Sequence, residues 1–133
     1  MADSRDVKVL LVGHCGFDSG LLTRAVAKAL PRAEVVLVNT DEDLSPRLSP
    51  ETILLVNRVL DGQFAVSSGI DLIAGVSGRA EAGPTLLISN YEDAQAEAER
   101  KGAMPGFGKN DVGTELAAER LREAAEVAMR GDG

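Results

Sequence analysis

The sequence predicts an α/β domain: a doubly wound, five-stranded parallel sheet with helices on both faces. Short runs of β-branched and aliphatic residues recur along the chain, which is the pattern of strands buried on both faces of a sheet. Segments with helical spacing of apolar residues separate these runs. Strands that alternate with helices in this way form parallel sheets with right-handed crossovers. The 133 residues are expected to form one domain over 1–133.

The predicted elements follow one another in a regular order. Strands are predicted at 7–13, 33–39, 52–57, 85–89 and 104–107, and helices over 20–30, within 63–75, over 92–101 and over 114–129. Asp18 or Ser19 is the predicted cap of the first helix. The segment 40–51 contains Pro46 and Pro50, so only a short or broken helix is expected there. The apolar face predicted for the last helix comprises Leu116, Leu121, Ala124 and Ala128.

The charge and amino-acid composition exclude several classes of binding partner and indicate where the protein is located. The net charge of -7 repels nucleic acid and anionic membrane surfaces, so neither is expected as a partner. Aromatic residues make up only 3% of the chain, which argues against base-stacking platforms. The single cysteine, Cys15, forms no intrachain disulfide, and the sequence shows no bilayer-spanning run. A cytoplasmic protein is therefore expected.

Polar residues stand where the predicted strands end. Gly13 and His14 close the first strand, Asn57 the third and Ser89 the fourth, and Lys109 follows the fifth. The carboxyl ends of parallel strands meet at one edge of such a sheet, where ligands are handled. Ser89 and Lys109 are therefore placed to face one small anion.

In these residues and in its element order, the chain resembles the receiver domain of two-component response regulators over nearly its whole length. The motifs that carry the resemblance are Asn57 with Gly62 soon after, Ser89, the run from Gly102-Ala103 to Lys109, and Thr114-Glu115-Leu116. The resemblance implies a flavodoxin-like (CheY-like) fold. It also implies phosphorelay chemistry, in which a phosphoryl group passes from a partner histidine to an aspartate that closes the third strand. In that family two acidic residues help to hold Mg²⁺, and a hydroxyl and a lysine contact the phosphoryl group.

Only part of that machinery is present. Ser89 and Lys109 match the hydroxyl and the lysine, but Asn57 stands at the acceptor position, and Gly13 and His14 stand at the acidic pair. An amide is not a carboxylate nucleophile, and glycine and imidazole are poor ligands for Mg²⁺. These five residues are therefore interpreted as a degenerate phosphorylation site with no catalytic residue, metal or cofactor. Asn57 is expected to bond Ser89 or Lys109 through its carbonyl oxygen, and Lys109 to be balanced only by solvent, backbone carbonyls or a bound anion.

Two neighbouring features bear on alternatives. Gly106 stands at the family's switch-aromatic position, with Phe107 one place later. His14 and Cys15 raise a metal or redox alternative, but adjacent side chains at a strand end diverge, and two ligands do not make a zinc site. A packed or inert Cys15 thiol is favoured over a reactive one.

The predicted function is that of a pseudo-receiver: a non-enzymatic response regulator module that acts by protein–protein interaction without aspartyl phosphorylation. The expected interaction face is the fourth helix, the fifth strand with Phe107, and the fifth helix. The expected partner is a signalling protein or effector, and a homodimer is also compatible. An alternative is a flavodoxin-like module that binds a small anion or nucleotide in the runs GHCGFDSG and SSG. An enzyme with Cys15 as nucleophile is a third reading.

Overall fold

A computed structural model describes residues 7–79 and 82–130. The strands are Lys8–Val12 (β1), Glu34–Val38 (β2), Thr52–Asn57 (β3), Thr85–Ile88 (β4) and Met104–Phe107 (β5). They form one parallel sheet in the order β2-β1-β3-β4-β5. The helices are Gly16–Ala29 (α1), Asp41–Leu44 (α2), Gly69–Ser77 (α3), Glu92–Arg100 (α4) and Glu115–Arg130 (α5).

The sheet is buried on both faces, as its apolar strands predict. All six residues of β3 are buried. Alternate residues of β1 and β3 contribute to two separate apolar clusters, because successive side chains of a strand point to opposite faces. One cluster lies under α1 and α5, and the other lies under α2, α3 and α4. The predicted doubly wound α/β architecture is therefore confirmed.

The first and last helices differ from their predictions in detail. α1 begins at Gly16 because the Cys15 sulfur accepts a hydrogen bond from the Asp18 amide at 3.5 Å, so the predicted cap, Asp18 or Ser19, is wrong. In α5 the buried face includes Ala117, whereas Leu116 is 40% exposed. The prediction that Leu116 lies on the buried apolar face of α5 is therefore wrong.

The second helix is as short as the prolines predict. Thr40 caps α2 through its hydroxyl, which accepts from the Asp43 amide at 3.0 Å. A 3₁₀ turn at Ser45–Arg47, with Pro46 in its first turn, follows at once. Among residues 7–79 and 82–130, no helix has the length and apolar character to cross a bilayer.

The pairing of β4 with β5 contains an irregularity. Leu86 pairs with Met104 and Ile88 with Phe107, so one residue of β4 faces two residues of β5. Such a bulge bends the strand and re-aims its neighbours. A Cβ at Gly106 would overlap the Leu87 carbonyl oxygen, so the backbones approach too closely here for any side chain.

Candidate functional site at the carboxyl edge of the sheet

The strand order reverses between β1 and β3, and the predicted site residues lie at that edge. The connection that follows β1 leads to β2 on one side, and the connection that follows β3 leads to β4 on the other side, which creates a crevice at the carboxyl ends of β1 and β3. Gly13 and His14 follow β1, Asn57 ends β3, Ser89 follows β4 and Lys109 follows β5. The edge therefore carries a polar residue on each of four neighbouring strands.

Asn57 is held by the loops on either side of it. Its amide nitrogen donates to the Gly13 carbonyl at 2.9 Å and to the Val59 carbonyl at 2.8 Å. The side chain is buried, and the bond to Gly13 spans from β3 to the end of β1. The expected bonds from its carbonyl oxygen to Ser89 or Lys109 do not occur among the described residues, so that expectation is wrong. Asn57 acts here as a donor that ties two loops together.

Neither residue at the expected acidic positions faces the crevice as a ligand. Gly13 has φ +74°, and a Cβ there would lie 2.6 Å from the Leu60 side chain. His14 is 1% exposed, and its Nε2 lies 2.9 Å from the Leu55 carbonyl oxygen. Because a carbonyl only accepts, Nε2 carries the proton and Nδ1, which has no partner, is the unprotonated nitrogen. Burial lowers the pKa of His14, which favours the neutral ring.

Lys109 has a carboxylate partner that the sequence did not suggest. Its Nζ lies 2.8 Å from Asp18 Oδ2. The hydrogen bond from Lys109 lowers the pKa of Asp18, against a smaller opposing effect of burial. The expectation that only solvent, backbone carbonyls or a bound anion would balance Lys109 is therefore wrong. Asp18 does this from the first turn of α1, instead of capping that helix.

One cavity brings three of the five predicted residues together. Its volume is about 250 Å³, and its lining residues are Asn57, Arg58, Val59, Ile88, Ser89, Asn90, Tyr91 and Lys109. Ser89 is buried, and its hydroxyl accepts from the Tyr91 amide at 3.1 Å. Gly13, His14 and the runs GHCGFDSG and SSG do not line this cavity. The expected glycine cradle is thus not part of it.

Sequence reasoning missed the other residues of this cavity, including Arg58 and Tyr91. The Arg58 guanidinium lies 5.0 Å from the centre of the Tyr91 ring. This cation–π contact bridges the loops that follow β3 and β4. Both residues were recognisable from their positions, because Arg58 follows Asn57 directly and Tyr91 lies two places after Ser89.

The site offers little to a metal ion. No cluster of three or more potential metal-ligating side chains occurs within residues 7–79 and 82–130. Mg²⁺ requires oxygen ligands in near-octahedral geometry, usually with one or two carboxylates. The cavity lining contains no carboxylate, and Asp18 is engaged by Lys109.

A second surface lies on the expected interaction face. A groove of about 590 Å³ runs between α4, β5 and α5, and its lining includes Gln95, Gly106, Phe107, Leu116 and Arg120. The Phe107 side chain is only 2% exposed and belongs to the core, so it does not present its ring to a partner. This surface is called the α4–β5–α5 groove below.

Gln95 fixes one wall of this groove. Its amide nitrogen lies 2.9, 3.0 and 3.3 Å from the carbonyl oxygens of Leu87, Ser89 and Phe107. The side chain therefore holds α4 against the bulged ends of β4 and β5. Its own oxygen, and the Nε of Arg120 on the opposite wall, are buried without a hydrogen-bond partner.

Comparison with known proteins places the fold. No family model matches the sequence, and no curated protein matches it. A response regulator receiver protein from Pseudoalteromonas atlantica has 17% identity and a TM-score of 0.69, over 90% of this chain and 97% of that chain. The signal receiver domain of a DNA-binding response regulator (merR) from Colwellia psychrerythraea 34H has 13% identity and a TM-score of 0.68, with coverages of 90% and 98%. The beryllofluoride-activated NtrC4 receiver domain dimer has 13% identity and a TM-score of 0.62, with coverages of 94% and 97%.

These similarities show that the chain has the receiver-domain fold. The fold predicted from the element order and from the strand-end residues is thereby confirmed.

Proposed function

We propose that this chain is a signalling module of the two-component type that acts by protein–protein interaction and needs no aspartyl phosphorylation. The observation that carries the proposal is the state of Asn57. Its amide occupies the acceptor position and donates to Gly13 and Val59. A carboxylate attacks phosphorus as a nucleophile, whereas an amide that donates both protons to carbonyls does not.

The surroundings of Asn57 support the same proposal. Phosphoryl transfer depends on metal and positioning for most of its rate. At Gly13 the backbone has φ +74°, and a Cβ would lie 2.6 Å from the end of the Leu60 side chain, so a carboxylate side chain at that position would be strained and would displace Leu60. Lys109, which would meet a phosphoryl group, is already paired with Asp18.

The α4–β5–α5 groove is the proposed binding surface. Gln95 Oε1 is an unpaired acceptor on one wall, and Arg120 Nε is an unpaired donor on the other. Both atoms are buried, so the groups that a docking partner contacts first are the exposed groove residues Glu92 and Glu99. Leu116, exposed on α5, adds an apolar contact in the groove.

The charges of the groove indicate a mixed recognition surface. Glu92 and Glu99 lie on the α4 wall, about two helical turns apart, and have no ion pair within the described residues. Among the residues that the structure describes, Arg120 on α5 has one ion pair, a long contact with Glu123 at 3.7 Å. The proposed partner is a signalling protein or effector with basic residues opposite α4 and a carboxylate or carbonyl opposite Arg120. A second copy of the chain is a candidate, since it offers both kinds of group.

The first test asks whether the chain accepts a phosphoryl group. The protein is incubated with acetyl phosphate and Mg²⁺, and its intact mass is measured beside a receiver domain that carries an acceptor aspartate. The expected result is labelling of the reference only. A stoichiometric, acid-labile adduct that maps to β3 of this chain would refute the proposal.

The second test addresses the binding surface. The wild type, Arg120→Glu and Arg24→Glu are compared as baits in the host lysate, and sedimentation velocity reports self-association. Both variants change the charge equally, but Arg24 is an exposed residue of α1 and does not line the groove. We expect Arg120→Glu alone to lose a signalling protein that the wild type and Arg24→Glu both capture. If the partner is a second copy of the chain, we expect Arg120→Glu alone to lose the dimer. Equal retention by all three baits would exclude this groove.

A further inference from the structure

We propose that β2, at one lateral edge of the sheet, pairs antiparallel with β2 of a second copy of the chain, so that two sheets join into one. This inference goes beyond the proposed function and does not use the α4–β5–α5 groove. In the order β2-β1-β3-β4-β5, β2 and β5 stand at the two lateral edges. Within residues 7–79 and 82–130, β2 pairs with β1 alone, which leaves its other side open. An open edge strand is a template for pairing with another chain.

The two edge strands differ in how well they resist such pairing. β5 has the sequence MPGF and a bulge against β4, and Pro105 has no amide proton to donate. Proline and bulges are means by which proteins block their edge strands. β2 has the sequence EVVLV, in which there is no proline, glycine or lysine. Its β-branched and aliphatic residues favour an extended strand, so β2 is the edge suited to pairing.

The backbone of β2 presents open hydrogen-bonding groups at this edge. The Glu34 amide donates to the Val7 carbonyl at 3.3 Å, so Glu34 directs its backbone groups toward β1. The backbone groups of successive strand residues point to opposite sides, so those of Val35 and Leu37 point away from β1. Their amides and carbonyls have no hydrogen-bond partner among the residues that the structure describes. A second strand would find a donor and an acceptor at each of these two residues.

The side chains of β2 hold the strand in place and leave apolar surface at the edge. Val35 packs against the cluster under α1 and α5, and Val36 packs against the cluster on the other face of the sheet. The strand is thus preorganised, which lowers the cost of ordering it on binding. Leu37 is 48% exposed. Beside Val36, a cavity of about 330 Å³ separates the sheet from the 3₁₀ turn that contains Pro46, which leaves space for a second strand on this face.

The open groups fix the register of the pairing. If Val36 lies opposite Val36 of the second copy, Val35 exchanges both backbone hydrogen bonds with Leu37 of that copy, and Leu37 does so with its Val35. Each exposed leucine then packs against a valine across the strands. Beyond β2, the Asn39 carbonyl already accepts from the Gln63 amide at 2.8 Å. Pairing is therefore confined to β2 itself.

The charges at the two ends of β2 complement each other in this register. Arg32 precedes the strand, and the acidic first turn of α2, with Asp41, Glu42 and Asp43, follows it. Antiparallel pairing brings the basic end of one copy beside the acidic end of the other. The two Glu34 side chains are separated by about 13 Å along the strand, which exceeds the screening length of about 10 Å. A second copy of the chain is therefore the occupant that fits this edge.

The first test is sedimentation velocity of the full chain at micromolar to millimolar concentrations. The wild type should show a reversible monomer–dimer equilibrium. Leu37→Lys places a charge on the edge of each copy and should weaken dimerisation by about tenfold or more. Leu116→Lys makes the same substitution at a leucine of similar exposure, 40%, in the α4–β5–α5 groove, and should leave this dimer intact. Circular dichroism checks that both variants are folded.

The second test measures the register by cysteine cross-linking in a Cys15→Ser background, in which serine also serves as a helix cap. Opposed residues of antiparallel strands have Cα atoms about 4.5–5.5 Å apart, a separation that a disulfide spans. Val36→Cys should therefore link two copies under mild oxidation. Leu37→Cys is the control, because residue 37 lies opposite residue 35 in this register and should cross-link about tenfold more slowly or less, although it is exposed.

Three results would overturn this inference. The first is a chain that stays monomeric at every concentration. The second is a dimer that Leu116→Lys abolishes and Leu37→Lys retains, because that dimer would lie at the groove. The third is cross-linking of Leu37→Cys that is as fast as that of Val36→Cys, which would contradict the register. None of these results concerns phosphorylation at β3 or capture of a signalling protein at the groove, so failure of this inference is distinct from failure of the proposed function.

Discussion

The strand-edge site and the α4–β5–α5 groove use their polar groups in opposite ways. At the strand edge, Asn57 is satisfied by two carbonyl oxygens and Lys109 by Asp18. In the groove, Gln95 Oε1 and Arg120 Nε are buried and unpaired. The strand edge is thus tied together by the contacts of Asn57 and Lys109 within the chain, with His14 Nδ1 as its buried atom without a partner, while both facing walls of the groove carry such an atom.

The largest expected effect tests whether the groove is fixed by its backbone. Gly106→Ala forces a Cβ against the Leu87 carbonyl oxygen and toward Gln95 Oε1, 2.9 Å away. Overpacking of this kind should lower the free energy of unfolding by about 2–3 kcal/mol. Urea denaturation measures it, with Gly20→Ala as the control, because nothing lies near a Cβ at Gly20 of α1. The control should gain about 0.5–1 kcal/mol from helix propensity. Equal stability of Gly106→Ala and wild type would mean that β5 shifts to accommodate the added methyl group. The backbone of the α4–β5–α5 groove would then not be fixed.

The next effect tests whether the strand edge is tied by Asn57. Asn57→Ala leaves the Gly13 and Val59 carbonyls without this donor and should lower the free energy of unfolding by about 1–2 kcal/mol. Asn110→Ala is the control, since the Asn110 side chain is exposed. Asn57→Asp should destabilise at least as much, because a carboxylate oxygen would replace the amide nitrogen that donates to both carbonyls. If Asn57→Asp were as stable as the wild type, Asn57 would not tie the two loops together. The site could then hold an acceptor carboxylate at position 57 without loss of stability.

The fold could be predicted from the sequence because its causes are local and periodic. The β3 run TILLVN is apolar throughout, and a strand with that composition is buried on both faces. Pro46 likewise predicted the shortened α2. The sequence-based prediction was wrong where a single hydrogen bond determines the start of a helix. Cys15 caps α1 in place of Asp18, and no periodicity reveals that choice.

Part of the site's membership was predictable from the sequence, and its contacts were less so. Strand ends placed Asn57, Ser89 and Lys109 at one cavity because parallel strands end at the same edge. The partner of Lys109 came from α1, which lies far away in the sequence and shows no motif. Pairings between loops depend on tertiary geometry. For the same reason Arg58 and Tyr91 were missed, although both stand beside predicted residues.

A smaller effect concerns the buried ring at the strand edge. His14 is the only histidine, and burial lowers its pKa in the folded state. The unfolded chain therefore binds a proton more readily, and stability should fall as the pH drops below the unfolded value of about 6.5. The slope cannot exceed about 1.4 kcal/mol per pH unit for one proton. Denaturation at pH 7.5, 6.5 and 5.5 should show this loss in the wild type and a flatter profile in His14→Gln. Identical profiles would show that the ring accepts a proton without cost.

The smallest effect concerns the ion pair that occupies Lys109. The Lys109 hydrogen bond lowers the pKa of Asp18 in the folded state, so the pair stabilises the fold above the ordinary carboxyl value of about 3.9 and loses this effect as the pH falls through the lowered value. Since Lys109 is partly exposed, Asp18→Asn should lower the free energy of unfolding at pH 7 by less than about 1 kcal/mol. That difference should shrink at high salt and in strong acid. Glu42→Gln removes the same charge from an exposed residue of α2 and should change little. If Asp18→Asn matched Glu42→Gln at every pH, the carboxylate would not hold Lys109 in solution. The lysine would then be free for an anion even in the wild type, and the strand edge would be as open as the groove.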